Sequence, residues 1–214
     1  MIKRILLSIL IVLLYLSTSF AATQDRLPTA NGSTNVWNYS GSTSGCVSEA
    51  TEWACVDDAI GAADNATTYI YIASVNNTSM FEYTNFSINS TAISNVKITG
   101  TCRWSTEVTD PTNIVFRLAV NGTTYTSAAQ DLTASWAEYT SGTTWNNNPN
   151  TSSAWVEADV EGTGSNPIQE FGVNPTSIVA TEQVECTQLY LTVTYTPVAS
   201  SQNKLLSFPV EDWD

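Results

Sequence analysis

The chain has 214 residues with no histidine, only 13% charged side chains and a formal net charge of −13. This acidic balance predicts repulsion from phosphate backbones, which argues against nucleic-acid binding and against docking on anionic membranes. Histidine is the commonest general base and a frequent zinc ligand, so its absence removes the usual catalytic triads and most catalytic zinc sites, and we expect no enzyme.

The first 21 residues have the pattern of a signal peptide. Lys3 and Arg4 precede an almost unbroken apolar run over residues 5–16, and residues 19–21 (SFA) supply the small side chains of a cleavage site. The apolar run is too short to be a convincing membrane span, and the alternative, an uncleaved anchor, lacks a positive stop-transfer flank. We therefore expect a protein that is secreted, extracellular or at the cell surface, with no membrane span in the mature chain.

Apolar and polar residues alternate with a period of two through residues 22–197, which predicts β-strands. The clearest apolar faces are Val96/Ile98/Cys102/Trp104, Ile114/Phe116/Leu118/Val120 and Leu189/Leu191/Val193/Tyr195. Weaker strand candidates are residues 34–39, 68–73, 80–86, 136–145 and 169–173, and residues 153–160 could form one helical turn. Asn121-Gly122 is a strong two-residue hairpin signal. Eight to ten short strands predict an all-β protein, a single jelly-roll-like β-sandwich.

Four cysteines, Cys46, Cys55, Cys102 and Cys186, occur in a chain that we expect to be exported, so disulfides are the default. Of the three pairings, we favour Cys46–Cys55 around a turn and Cys102–Cys186 between two strands. The second pairing has a condition, because Cys186 is out of phase with the apolar face of its strand. It requires a β-bulge between Cys186 and Leu189.

Nine Asn-x-Ser/Thr sequons lie between the signal peptide and the last predicted strand. They are at Asn31, Asn38, Asn65, Asn76, Asn77, Asn85, Asn89, Asn121 and Asn150. Because an exported chain meets the glycosylation machinery of a host that has one, these positions predict N-glycosylation.

The chain changes character after Pro197. Residues 198–214 begin as a linker and end in an apolar tail, whose predicted contact residues are Leu205, Leu206, Phe208, Val210 and Trp213. Exposure of so many apolar side chains is unfavourable, so we expect the tail to bind a partner surface. It could fold back on its own sandwich, or it could dock on a neighbouring subunit by adding a strand or by filling a groove.

Several short motifs along the predicted strands are similar to those of a known type of protein. They are residues 26–32 (RLPTANG), Trp37, 55–58 (CVDD), Asp64, 67–70 (TTYI), 93–98 (ISNVKI), 136–139 (WAEY), 155–160 (WVEADV), 170–173 (EFGV) and 187–195 (TQLYLTVTY). Over residues 26–196 the chain resembles a recurring type of secreted or virion-surface jelly-roll protein, found in phages and among exported proteins of bacteria and archaea. The resemblance implies a single jelly-roll sandwich and a structural or glycan-contacting module. It implies nothing about assembly, because the tail is not part of the pattern.

Two weaker binding signals remain. Asp57, Asp58 and Asp64 lie in a loop-rich stretch, where solvated loop acids are the favoured interpretation, a structural calcium site is the alternative, and no other cofactor is expected. Trp145, within a polar Thr/Asn segment, is the candidate for an exposed ring that stacks on carbohydrate. The remaining tryptophans of the predicted strands are expected in the core: Trp37, Trp53, Trp136 and Trp155.

These signals favour an extracellular structural protein that self-assembles into a filament or a cell-surface layer. The motivation is the export signal, the lack of catalytic residues and the apolar tail, which would insert into a neighbouring copy. The alternative is a carbohydrate-binding module or adhesin of the same fold, with surface glycans as its partners.

Overall fold

The computed structural model describes residues 20–41, 46, 48–65, 67–105, 112–142, 145–178 and 182–199. Residues 1–19 of the predicted signal peptide lie outside these ranges. So do the predicted contact residues of the tail, Leu205, Leu206, Phe208, Val210 and Trp213. Within the ranges, no helix has the length and apolar character that a membrane crossing needs.

The described residues fold into two antiparallel sheets of six strands each, which confirms the predicted all-β, jelly-roll-like sandwich. In chain order the strands are β1 (Ala22–Arg26), β2 (Pro28–Asn35), β3 (Asn38–Ser40), β4 (Tyr69–Ile72), β5 (Ser79–Tyr83), β6 (Ser90–Trp104), β7 (Asn113–Val120), β8 (Thr123–Thr126), β9 (Gln130–Asp131), β10 (Ala137–Thr140), β11 (Ile168–Ser177) and β12 (Val184–Pro197). Sheet I has the order β10-β6-β12-β4-β3, with β1 paired to β12. Sheet II has the order β2-β5-β11-β7-β8, with β9 paired to β7.

Helical structure in the described ranges is limited to two short pieces. The one-turn helix α1 (Glu157–Val160) lies inside the predicted 153–160 window. A 3₁₀ helix at Glu49–Cys55 was not expected, because no helical period marks it. It begins just after Ser48, whose N–H donates to the Thr51 hydroxyl, and it ends at a disulfide-bonded cysteine.

The apolar faces of the two sheets meet in one core. Val96 and Ile98 of sheet I, and Phe116 and Leu118 of sheet II, are all fully buried there, as their alternation predicts. Trp37 and Trp155 also lie in this core, which confirms two of the four predicted core tryptophans.

The prediction that Trp145 has an exposed ring for carbohydrate stacking is wrong, because the residue is only 1% exposed. Its carbonyl oxygen accepts the Val96 N–H at 3.2 Å and the Trp155 indole N–H at 2.8 Å. The backbone therefore joins the edge of sheet I, and the ring enters the core. The polar residues around Trp145 did not reveal this pairing.

Both predicted disulfides are present, Cys46–Cys55 and Cys102–Cys186. The second joins directly paired residues of β6 and β12, and the register shifts between Cys186 and Gln188. That irregularity is the predicted bulge, and it returns Cys186 to the core side of the sheet. Two disulfides are consistent with an oxidising, extracellular environment.

Candidate functional site

Side chains on the outer side of sheet I form a row across five strands, which we call the aromatic row. Its members, from one edge of the sheet to the other, are Asn38, Tyr71, Glu185, Arg103 and Trp136. The strand register makes the first four direct cross-strand neighbours on β3, β4, β12 and β6. Trp136 directly precedes β10 in the same register, and its ring centroid lies 4.5 Å from Arg103 Cζ. Neighbouring strands are about 4.8 Å apart, so the row spans roughly 19 Å.

Alternation along β4 explains why two tyrosines reach this outer side. Ile70 and Ile72 are buried between the sheets, so the intervening positions point the other way. Tyr69 and Tyr71 are accordingly half-buried rather than enclosed. The same reasoning corrects the expectation for Trp136, which lies half-buried on the outer side and not in the core.

The three rings form one contiguous aromatic surface. The Tyr69 ring lies 6.0 Å from the Trp136 ring and 6.1 Å from the Tyr71 ring, in both cases tilted. Such tilted contacts at this spacing are favourable for aromatic pairs. Tyr69 lies on β4 and Trp136 directly precedes β10, and β12 and β6 lie between those two strands. Their side chains therefore lean toward each other across the middle of the sheet.

A salt bridge fixes the centre of the row. Arg103 Nε donates to Glu185 Oε2 at 2.7 Å, with side-chain exposures of 27% and 5% respectively. The guanidinium also lies over the Trp136 ring, a cation–π arrangement. Because Glu185 is almost fully buried, loss of its partner would leave an uncompensated charge, and the pair therefore holds Arg103 and Trp136 in place.

Polar side chains continue the outer side of sheet I beyond the row. The Tyr190 hydroxyl donates to Glu138 Oε2 at 3.3 Å, and the Thr192 hydroxyl donates to Asp25 Oδ1 at 2.6 Å. Burial raises the pKa of the Tyr190 phenol, which keeps it a neutral hydrogen-bonding group. This part of the sheet therefore offers hydroxyl and carboxylate groups beside the rings.

The predicted calcium residues lie next to the row but do not form a metal cage. The Thr187 hydroxyl lies 3.3 Å from Asp58 Oδ2 and 3.0 Å from Asp64 Oδ1. The Asp64 N–H donates to Asp58, and the Thr68 hydroxyl donates to Asp64 Oδ2 at 2.8 Å. Among the residues that the structure describes, no three His, Cys, Asp or Glu side chains are grouped so that they could hold a metal ion, and Asp57 does not join Asp58 and Asp64 in such a group. Hydrogen bonds instead pin the loop that leads into β4.

Burial is the main cause of the raised aspartate pKa values in this loop. It raises the pKa of Asp57 and of Asp58 above the ordinary aspartate value, and the neighbouring Asp64 charge raises that of Asp58 further. Both groups nonetheless retain hydrogen-bond donors that favour the ionised form. The loop therefore behaves as a structural clamp beside Tyr69.

The asparagines of the nine sequons differ in hydrogen bonding and in exposure to solvent. Asn31 Oδ1 accepts the Trp53 N–H at 3.0 Å, and Asn150 Nδ2 donates to Asn166 at 2.7 Å. The exposed sequon asparagines are Asn38, Asn65, Asn76, Asn85, Asn89 and Asn121. Glycosylation itself stays a prediction at all nine positions, and Asn77 is intermediate in exposure.

A cleft of about 700 Å³ lies on sheet II. Its polar lining includes Glu82, Gln169 and Glu170, and Glu170 accepts hydrogen bonds from Ser33 at 2.7 and 2.6 Å. Its aromatic residue, Tyr83, is buried, with its hydroxyl donating to the Ile168 carbonyl. This cleft therefore lacks the accessible rings of sheet I.

Comparison with known proteins yields a distant structural likeness. No protein-family model matches the sequence, and none of the curated proteins is significantly similar. Among solved structures, the CBM22-1 xylan-binding domain of Paenibacillus barcinonensis Xyn10C is similar with a TM-score of 0.37 and 11% identity, covering 86% of this chain and 100% of that domain.

Proposed function

We propose that the protein is an extracellular carbohydrate-binding module that binds an extended glycan on the outer side of sheet I. The observation that carries the proposal is the contiguous surface of Tyr69, Tyr71 and Trp136 beside the fixed Arg103–Glu185 pair. Aromatic faces stack on the apolar faces of sugar rings, while a few well-placed polar groups orient the hydroxyls. The protein binds and does not turn over its ligand.

The dimensions and charge of the face support a particular kind of glycan. A row of roughly 19 Å accommodates several consecutive sugar rings of an extended chain. Glu185 already neutralises Arg103, and Glu138 adds negative charge to a chain that is acidic overall. Anionic polysaccharides would be repelled, so the proposed ligand class is a neutral polysaccharide.

A glycan array followed by single substitutions tests the proposal. We expect binding to neutral oligosaccharides, and Trp136→Ala or Tyr71→Ala should weaken it at least about tenfold, or about 1.4 kcal/mol. Tyr125→Ala is the matched control, since this half-buried tyrosine lies on sheet II and donates to Asn150. Absence of array binding, or equal weakening in the control variant, would contradict the proposal.

Self-assembly is a second candidate function, and the open sheet edges favour it. Sheet I ends in β10 and β3, and sheet II ends in β2 and β8, so strand addition by a neighbouring copy is geometrically available. The donor would be the apolar tail, which lies outside the described residues. Deletion of residues 199–214 should abolish polymers seen by electron microscopy, and intact polymers after deletion would reject this mechanism.

A further inference from the structure

One sequon lies within the aromatic row itself. Asn38-Tyr39-Ser40 forms β3, and Tyr39 packs against the core, so Asn38 and Ser40 point to the outer side of sheet I. Asn38 is exposed and pairs directly with Tyr71 across the two strands. Side chains at paired positions of antiparallel strands have Cβ atoms only about 4.5–5.5 Å apart.

The Asn38 side chain is also available for modification. Three other sequon asparagines use their side-chain amide groups within the protein, Asn31 toward Trp53, and Asn121 and Asn150 toward Asn166. Asn38 makes no side-chain hydrogen bond with any residue in the described part of the chain. Its amide nitrogen, the atom to which an N-linked sugar attaches, is therefore open on the side where the rings lie.

We propose that an N-linked glycan at Asn38 places its first sugar against the Tyr71 ring and thereby occupies one end of the aromatic row. The modification shortens the face that an external glycan can use, so occupancy at Asn38 sets the binding strength of the site. This consequence rests on the proposed function, whereas the position of the sugar against Tyr71 does not.

Chemical footprinting tests the position of the sugar without any external ligand. The protein is secreted from a eukaryotic host that N-glycosylates, occupancy at Asn38 is measured by mass spectrometry, and tyrosine nitration by tetranitromethane is quantified at Tyr71. We expect occupancy, and we expect nitration of Tyr71 to increase several-fold in Asn38→Gln and in Ser40→Ala. An unmodified Asn38, or equal nitration with and without the sequon, overturns the proposal.

Two matched variants exclude indirect effects. Ser40→Thr keeps the sequon and should leave Tyr71 as protected as in the natural sequence. Thr123→Ala removes the Asn121 sequon at the β7–β8 hairpin of the other sheet and should not change nitration of Tyr71. If either variant deprotects Tyr71 as strongly as Ser40→Ala does, the protection does not come from a sugar at Asn38.

Binding to an array of neutral oligosaccharides then tests the regulatory consequence. We expect Ser40→Ala to bind several-fold more tightly than the Asn38-glycosylated protein. Equal binding by Ser40→Ala and the glycosylated protein overturns the proposed regulation but does not contradict the proposed carbohydrate-binding function. If Ser40→Ala binds no oligosaccharide, the proposed function fails, and the regulation that rests on it fails with it; the footprint then still decides whether the sugar contacts Tyr71.

Discussion

The two disulfides should contribute very unequally to stability, because they close loops of very different length. Cys102–Cys186 spans a sequence separation of 84 residues, and Cys46–Cys55 a separation of 9. The chain-entropy relation gives about 4.6 kcal/mol for the long loop and about 2.7 kcal/mol for the short one. Alanine is the suitable replacement in each pair, since all four cysteines are buried and a polar substitute would add its own cost.

These free energies translate into melting temperatures that differ measurably. The strands extend from Ala22 to Pro197, and an unfolding entropy of about 2.1 cal/mol/K per residue amounts to about 0.37 kcal/mol/K for that length. The Cys102→Ala/Cys186→Ala variant should therefore melt about 12 °C below the natural protein. The Cys46→Ala/Cys55→Ala variant should melt about 7 °C below it.

Differential scanning calorimetry under non-reducing conditions measures both shifts. As a control, the variant with all four cysteines replaced by alanine should melt at the same temperature as the natural protein after reduction of its disulfides. The ordering is the decisive result. If loss of the short-loop disulfide lowers the melting temperature as much as loss of the long-loop disulfide, constraint of the unfolded chain is not the source of the stabilisation.

Two further predictions concern residues whose roles the structure revised. Trp145→Ala should lower the free energy of unfolding by about 3–5 kcal/mol in urea titrations, because the ring is buried; a change within about 0.5 kcal/mol would indicate an exposed ring instead. Burial raises the pKa of Asp58 in the folded state, so its stabilising contribution is complete below about pH 4 and is lost as the pH rises through the folded pKa. Asp58→Asn should therefore raise the melting temperature at pH 7, by no more than about 2–4 °C for a group this exposed, with the gain vanishing near pH 4. A gain that grows toward acid pH would contradict the direction of that pKa shift.

Local patterns predicted those features that depend on neighbours along the chain. The Asn121-Gly122 turn forms with both residues at positive φ, 48° and 77°, as a two-residue hairpin turn requires. The phase of Cys186 against Leu189 predicted a bulge, because side chains alternate strictly along a strand. By contrast, the polar surroundings of Trp145 suggested an exposed ring, and this prediction was wrong. The ring is buried where the Trp145 backbone pairs with Val96, and the local sequence gives no sign of that long-range pairing.

By itself, the sequence predicted the apolar side of the clearest strands, the Asn121-Gly122 turn and the favoured disulfide pairing. Those properties follow from the two-residue period of a strand and from the conformations that turn residues allow. Only the tertiary structure decided that Asn38, Tyr71, Glu185, Arg103 and Trp136 form one row. Register between strands distant in the chain depends on how whole faces pack together, and a shift of one residue would have turned these side chains to the other side.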